Sequence, residues 1–314
     1  MPNYLLWRAI NILAVAAGVT LLSFLLFHFA PGDPATTFLG LEADPASVAT
    51  LKAKLGLDRP LAEQFLRWLA RVLSGDFGRS TQSGRPVFSM VFEALGPTLL
   101  LAGAALAISL AIAIPAGVIA ATHRNSASDW LLSFVSLCGL SLPSFLVAIL
   151  LILGLSVHAP ILPASGYVSP VISPLEHLRH VILPALTLAT ALTAATMRMM
   201  RSAMLDELGK NYVRTARAKG LTRWRVVLLH VFPNAGIPVL TLIGIQLGQL
   251  LGGVVITETL FSWPGIGKLT VDAIFARDYP VLQGALLLTG AMFTIINLLA
   301  DVIYTLIDPR VRFA

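Results

Sequence analysis

Six apolar stretches set what this chain can fold into: Ala9–Ala30, Ala94–Thr122, Trp130–His158, Val181–Met197, Asn234–Thr257 and Tyr279–Ala300. A helix needs about 20 apolar residues to cross the hydrocarbon of a bilayer. Inside hydrocarbon every backbone N–H and C=O must be satisfied within the segment, so such runs fold as helices. Composition agrees, with 56% hydrophobic and 12% charged residues, where a soluble domain carries about 25% charged. The fourth run is the shortest and continues past Arg198, whose long side chain can reach the headgroups. The first run has a basic flank at Arg8, but its apolar part exceeds the roughly 7–15 residues of a secretion-signal core. It reads as a retained first helix. The expected fold class is all-α: a polytopic membrane protein with about six transmembrane helices.

Between the fourth and fifth runs lies Asn211–Pro233, NYVRTARAKGLTRWRVVLLHVFP. Charge of that density cannot sit in hydrocarbon, and short loops rich in Lys and Arg are cytoplasmic. With the N-terminus inside, the cytoplasmic segments hold twelve Lys and Arg: Arg8, Arg124, eight from Arg198 to Arg225, Arg310 and Arg312. The two short external loops hold three, Arg179, Lys268 and Arg277. This bias places both termini in the cytoplasm. It also accounts for the net charge of +6 without a nucleic-acid partner.

The stretch Pro31–Glu93 is the one sizeable polar insert, with seven basic and seven acidic residues. Two prolines in Pro31-Gly32-Asp33-Pro34 fix φ at its start. Asp58 is placed to cap a helix beginning near Pro60, and Leu61, Phe65, Leu66 and Leu69 recur at helical spacing. A small extracytoplasmic helical insert is expected. Its Phe65, Trp68 and Phe77 exceed what a solvated linker needs, and serve as docking candidates or as the insert's own small core. The domain organisation is then 1–30, tail and first helix; 31–93, insert; and 94–314, a core of five further helices with a cytoplasmic loop at 198–233.

The loop spacing resembles the conserved segment of ABC importer permeases, E-A-A, three residues, Gly, nine residues, I-x-L-P. Arg214-Thr215-Ala216 stands at the E-A-A position, Gly220 at the glycine and His230-Val231-Phe232-Pro233 at the end. The variant YVRTARAKGL is similar to that of the dipeptide, oligopeptide and nickel branch. Further matches are LGLDRPLAEQFLRWL (Leu55–Leu69), Gly75-Asp76-Phe77-Gly78-Arg79-Ser80, LSLPSF (Leu140–Phe145), ETLFSWPGIGKL (Glu258–Leu269), RDYPVLQG (Arg277–Gly284), NLLADVIY (Asn297–Tyr304) and DPRVR (Asp308–Arg312). Together they resemble the B-type permease subunit of a peptide/nickel-class ABC importer. The resemblance implies the type I permease fold and a place in the bacterial inner membrane. It further implies a homologous C-type permease as partner, two ATPase subunits carrying ATP and Mg, and an extracytoplasmic solute-binding protein. No cofactor is bound by this chain itself. Peptides are the leading cargo, with nickel, a metal chelate or glutathione as alternatives.

Under that reading, the loop forms two short helices meeting near Gly220. Met204, Leu205, Leu208 and Tyr212 give an apolar face beside Asp206 and Glu207, suited to a groove on an ATPase subunit. Arg217 and Lys219 are available to acidic groups there, and Gly220 permits the turn. In the fifth run, Gly244, Gly248 and Gly252 share one helix face, for close packing or for the pathway. Gln246 and Gln249 are candidates to face a watery passage. Pro115 and Pro143 are candidate kinks.

Other chemistries are poorly served. No G-x-x-x-x-G-K-[ST] occurs; Gly265-Ile266-Gly267-Lys268-Leu269 lacks the first glycine and the closing hydroxyl. Pro264-Gly265 reads instead as a tight re-entrant turn. A proton-coupled carrier would place carboxylates or His within its spans, but Glu258, Asp301 and His28 fall near span ends. An enzyme would need a nucleophile–base pair or metal cluster. Catalytic and metal residues are therefore expected to be none, with His158, His177 and His180 as interfacial side chains and Cys138 as a small buried hydrophobe.

Overall fold

The computed structural model describes residues 14–25 and 58–307, with positions 44, 46 and 50 between them. The Pro31–Pro34 stretch, Arg8, His28 and the Asp308–Arg312 motif lie outside the described residues. Helices in chain order are α1 (Ala14–Leu25), α2 (Leu61–Leu73), α3 (Val87–Thr122), α4 (Ala127–Ser141) and α5 (Ser144–Ile152). They continue with α6 (Pro174–Leu208), α7 (Asn211–Ala218), α8 (Arg223–Val226), α9 (Phe232–Leu260), α10 (Ile266–Phe275) and α11 (Tyr279–Ile307). No named strand occurs among the described residues. Among the described residues four helices are long and apolar enough to cross a membrane, and the α4–α5 pair is a fifth candidate as a bent span.

The run read as one helix over Trp130–His158 is in fact broken. α4 and the helix that follows it meet at 107°. Leu142 has φ −80° and ψ 127°, and Pro143 has φ −60° and ψ 140°, both extended. The ring of a proline disfavours helical backbone at the residue before it, so Pro143 separates two helices rather than kinking one. Pro115 lies inside a continuous α3.

The chain divides into two compact units, Met1–Gly96 with Gly265–Thr294 and Pro97–Pro264 with Ile295–Ala314. In the first, α2 lays its aromatic face on α1: the Phe24 ring is 5.2 Å from Phe65 and 5.6 Å from Trp68. Asp58 does not cap α2. The N-cap is Pro60, with no side-chain hydrogen bond. The first turn is organised by Glu63 instead, which pairs with Arg59 and Arg67 at 2.5 and 3.0 Å, an acidic group where the helix dipole favours one. Phe77 packs with Val87, Val91, Ala273 and Val281. Buried Asp278 accepts from the Ser80 hydroxyl (2.5 Å) and the Thr81 N–H (3.2 Å), which joins the 76–86 turn to the start of α11.

In the second unit α6 is the central helix, packed by α4, α5 and α9. At 35 residues it is about 52 Å long, well beyond the roughly 30 Å of bilayer hydrocarbon, so the helix must extend out of the hydrocarbon. Buried Glu258 accepts from the Thr98 hydroxyl at 2.6 Å. Beyond it the chain turns at Ser262 (φ 52°) and buries Trp263, whose indole N–H donates to the Pro97 carbonyl at 2.9 Å. Tyr167 and His177 close around that indole, with ring centroids at 4.8 and 5.7 Å.

Candidate functional site: the loop between α6 and α9

The chain leaves α6 at Leu208, turns through Gly209 and Lys210, and starts α7 at Asn211. α7 is anchored from below. Val213 and Ala216, three residues apart on one face, are buried against Met200 and Met204 of α6, Val226 and Val231. Burying a valine side chain is worth about 1.5–3 kcal/mol, so this short helix is held by packing rather than by its own propensity.

The break before α7 is crossed by Glu207. Its carboxylate accepts from the Tyr212 hydroxyl at 2.6 Å and from the Lys210 ammonium at 2.5 Å. The same hydroxyl lies 3.3 Å from the His230 carbonyl, so Tyr212 sits between the end of α6 and the approach to α9. Loss of water around the hydroxyl, then the Glu207 bond, push the Tyr212 pKa up to about 12.

α7 ends in a Schellman turn. The Gly220 N–H donates to the Arg217 carbonyl at 2.9 Å and the Leu221 N–H to the Ala216 carbonyl at 3.3 Å. Gly220 has φ +79°, the left-handed conformation where a side chain is strained. An added Cβ would meet nothing within 4 Å, so the glycine answers to backbone conformation alone. Leu221 then tucks onto the same apolar cluster as Val213.

The second of the two short helices expected to meet near Gly220 is not separate from the span that follows. α8, a π-helical turn at Val227–Val231 and α9 follow one another without a break, and the span begins at Arg223. Pro233 falls in the first turn of α9. In a regular helix its ring would clash with the carbonyl four residues back. The wider π turn changes the register there, and the His230 carbonyl accepts from the Asn234 side chain at 2.8 Å.

The outward side of α7 carries Arg214, Thr215, Arg217 and, past its end, Lys219, all exposed. None of the three cations has a carboxylate partner among the described residues. Asp206 is exposed as well, whereas Leu205 and Leu208 are half-buried on the cluster. The arrangement is a cationic face on a helix fixed to the ends of two spans.

The polar residues of the fifth run separate. Gln246 is buried: its carbonyl accepts from the Thr196 hydroxyl at 3.1 Å and its amide donates to the Leu192 carbonyl at 3.3 Å, both on α6. Gln249 is exposed. Gly244 is half-buried, Gly248 buried and Gly252 exposed with open space around it. The aromatics of the polar insert, Phe65, Trp68 and Phe77, are each half-buried against their own chain. The histidines do not converge: Nδ1 of His158, His177 and His180 each meets a backbone carbonyl, of Leu153, Val168 and Glu176, at 2.7 Å.

Two features escaped the sequence reading. Asp129, buried at the start of α4, accepts a bidentate fork from Arg201 of α6 at 2.6 and 2.8 Å. The partners are far apart in sequence, and nothing local in either marks the pair. Gly117 of α3 lies where a Cβ would come within 2.7 Å of Met200 Cβ. A glycine deep in an otherwise apolar span was the available signal.

Residues 1–111 match the family of binding-protein-dependent transport system membrane components, N-terminal part, and residues 113–313 that of binding-protein-dependent transport system inner membrane components. The chain is 42% identical to a putative peptide permease of Brucella ovis, over 99% of both chains. It is 40% identical to the dipeptide transport system permease protein of Escherichia coli K12, over 99% of both chains, and 40% identical to the glutathione transport system permease protein of the same strain, over the full length of both. Among solved structures, the MetNI methionine ABC transporter in an inward-facing conformation matches with a TM-score of 0.59 at 17% identity, covering 70% of this chain and 96% of that one. That likeness is one of fold. With both of its parts matched along nearly the whole chain, the protein belongs to the family of binding-protein-dependent transport system inner membrane components.

Proposed function

We propose that the chain is the permease subunit of an ATP-driven importer of short peptides and supplies half of the passage. A homologous permease supplies the other half, two ATPase subunits hold ATP and Mg, and an extracytoplasmic binding protein delivers the cargo. This chain binds no cofactor and hydrolyses nothing. The observation that carries the reading is α7: a helix clamped to the ends of α6 and α9 by Val213, Ala216 and Tyr212, with exposed Arg214, Arg217 and Lys219 facing outward and no carboxylate partner for them among the described residues. A rigid cationic face of this kind suits an acidic groove on an ATPase subunit, and movement of that subunit would reach two spans at once. The α7 side is then cytoplasmic, and the external α2 side meets the binding protein.

The peptide cargo rests on the full-length relatives named for peptides and dipeptides. The relative named for glutathione transport keeps the cargo class at short peptides and their γ-linked kin. In proteoliposomes holding the assembled complex, with the cognate binding protein added, labelled dialanine should accumulate only with ATP and should still do so with a protonophore present. Accumulation driven by a proton gradient without ATP would overturn the reading in favour of a secondary carrier.

A further inference from the structure

α4 and α6 run antiparallel and are joined at matched points. Asp129 receives the fork of Arg201, and the Ser136 hydroxyl donates to the Ala194 carbonyl at 2.9 Å. These two links are seven residues apart along each helix, which is two turns, so they fall on one seam. At the next turn the helices are close enough that a Cβ on Gly139 would lie 3.3 Å from Ala194 Cβ and 3.4 Å from Thr190 Cγ2. The Asp129 end of the seam is the best fixed. Its carboxylate also accepts from the Asn125 N–H at 3.0 Å, and its own N–H donates to Ser126, the N-cap of α4.

Each end of this seam leads somewhere. Less than two turns beyond Arg201 along α6 stands Glu207, which clamps Tyr212 of α7. At the far end of α4 stands the extended Leu142–Pro143 step and the 107° bend. We propose that the Asp129–Arg201 pair is a strut that makes α4 and α6 move as one body, so that displacement of α7 is taken up at the Leu142–Pro143 elbow. Arg201 and Asp129 are positioning residues in this scheme, acting through the two helices they join. A planar fork suits the task because two parallel bonds fix orientation as well as distance, which a single lysine contact does not.

The inference rests on the importer reading, and the experiment keeps the two apart. In the assembled complex, with Cys138→Ala as background, spin labels at Leu137 and Ile149 span the elbow, and labels at Ala127 and Ser202 span the strut. Distances are compared without nucleotide and after trapping with ATP and vanadate. The elbow distance should change on trapping while the strut distance stays fixed. D129N and R201K should each lose the elbow change although the complex still hydrolyses ATP; if D129N fails to assemble, R201K carries the comparison. A variant complex that keeps the full elbow response would overturn the strut, as would a wild-type strut distance that moves as much as the elbow. Failure of the importer reading shows separately, as a correctly assembled wild-type complex without ATP hydrolysis.

Discussion

Tyr212 donates to Glu207 at 2.6 Å across the only non-helical step between α6 and α7. A membrane span and a surface helix that could otherwise flex independently are thereby held at a set angle. Removing the hydroxyl with Tyr212→Phe leaves the ring's packing but frees one carboxylate oxygen. Hydrogen bonds to charged groups contribute about 1.5–3 kcal/mol where buried; Tyr212 is 37% exposed, so the loss should fall below that range. Hydrogen exchange should speed up at 209–213 and stay unchanged in α9.

The same hydroxyl makes a pH prediction. Its pKa is raised to about 12 from an ordinary value of about 10. A raised tyrosine pKa means the folded loop prefers the neutral form. The stabilisation is therefore complete below about pH 10 and is lost as pH rises through about 12. The tyrosinate absorbance of wild type minus Tyr212→Phe should titrate above that of an exposed tyrosine. A difference curve centred at the ordinary value would show the hydroxyl to be free.

At Gly220 the cost of a side chain comes from φ and not from crowding or a buried charge, because the site is open. Asn tolerates the left-handed region better than other side chains, and β-branched residues tolerate it least. Stability in detergent should fall in the order Gly, Asn, Ala, Val, with Gly220→Ala losing about 1 kcal/mol. An Ala variant as stable as wild type would remove the turn from the account.

Gly117 behaves oppositely. An added methyl would lie 2.7 Å from Met200 Cβ and 2.9 Å from the Met197 carbonyl, and overpacking of this kind costs about 1–3 kcal/mol. Gly117→Ala should lower the unfolding midpoint, while Gly154→Ala, with nothing within 4 Å, should not. Equal midpoints would mean that α3 and α6 are less closely packed than described.

Gln246 and Gln249 offer a similar contrast inside one helix. Gln246→Leu leaves Thr196 without its acceptor in a buried site and should cost about 1–3 kcal/mol. Gln249→Leu should cost little. Thermal unfolding of the two purified variants measures the difference.

These cases show where sequence reading holds and where it stops. The apolar runs locate the spans because hydropathy sums over a whole segment, and Gly220 is readable because a lone glycine between helical stretches has few other uses. Facing is not readable in a span that is apolar all round, since no polar side marks the outside; Gln246 and Gln249 look alike until α6 is placed beside them. The elbow needed more than Leu142-Pro143, because Pro115 is absorbed into a continuous helix. The Asp129–Arg201 pair lies 72 residues apart, beyond any periodic pattern. Phe65 and Trp68 were visible as excess apolarity, yet only the placement of Phe24 shows what they cover.

In the proposed importer, α7 is the surface an ATPase subunit grips. Thr215 sits exposed in the middle of its outward face, and Leu66 is exposed on α2. A benzophenone amino acid placed at one position or the other in the assembled complex, then irradiated, reports directly on what lies against it. Thr215 should yield an adduct with an ATPase subunit and Leu66 none. An ATPase adduct from Leu66, or an assembled and active complex in which Thr215 captures no ATPase, would contradict that role for α7.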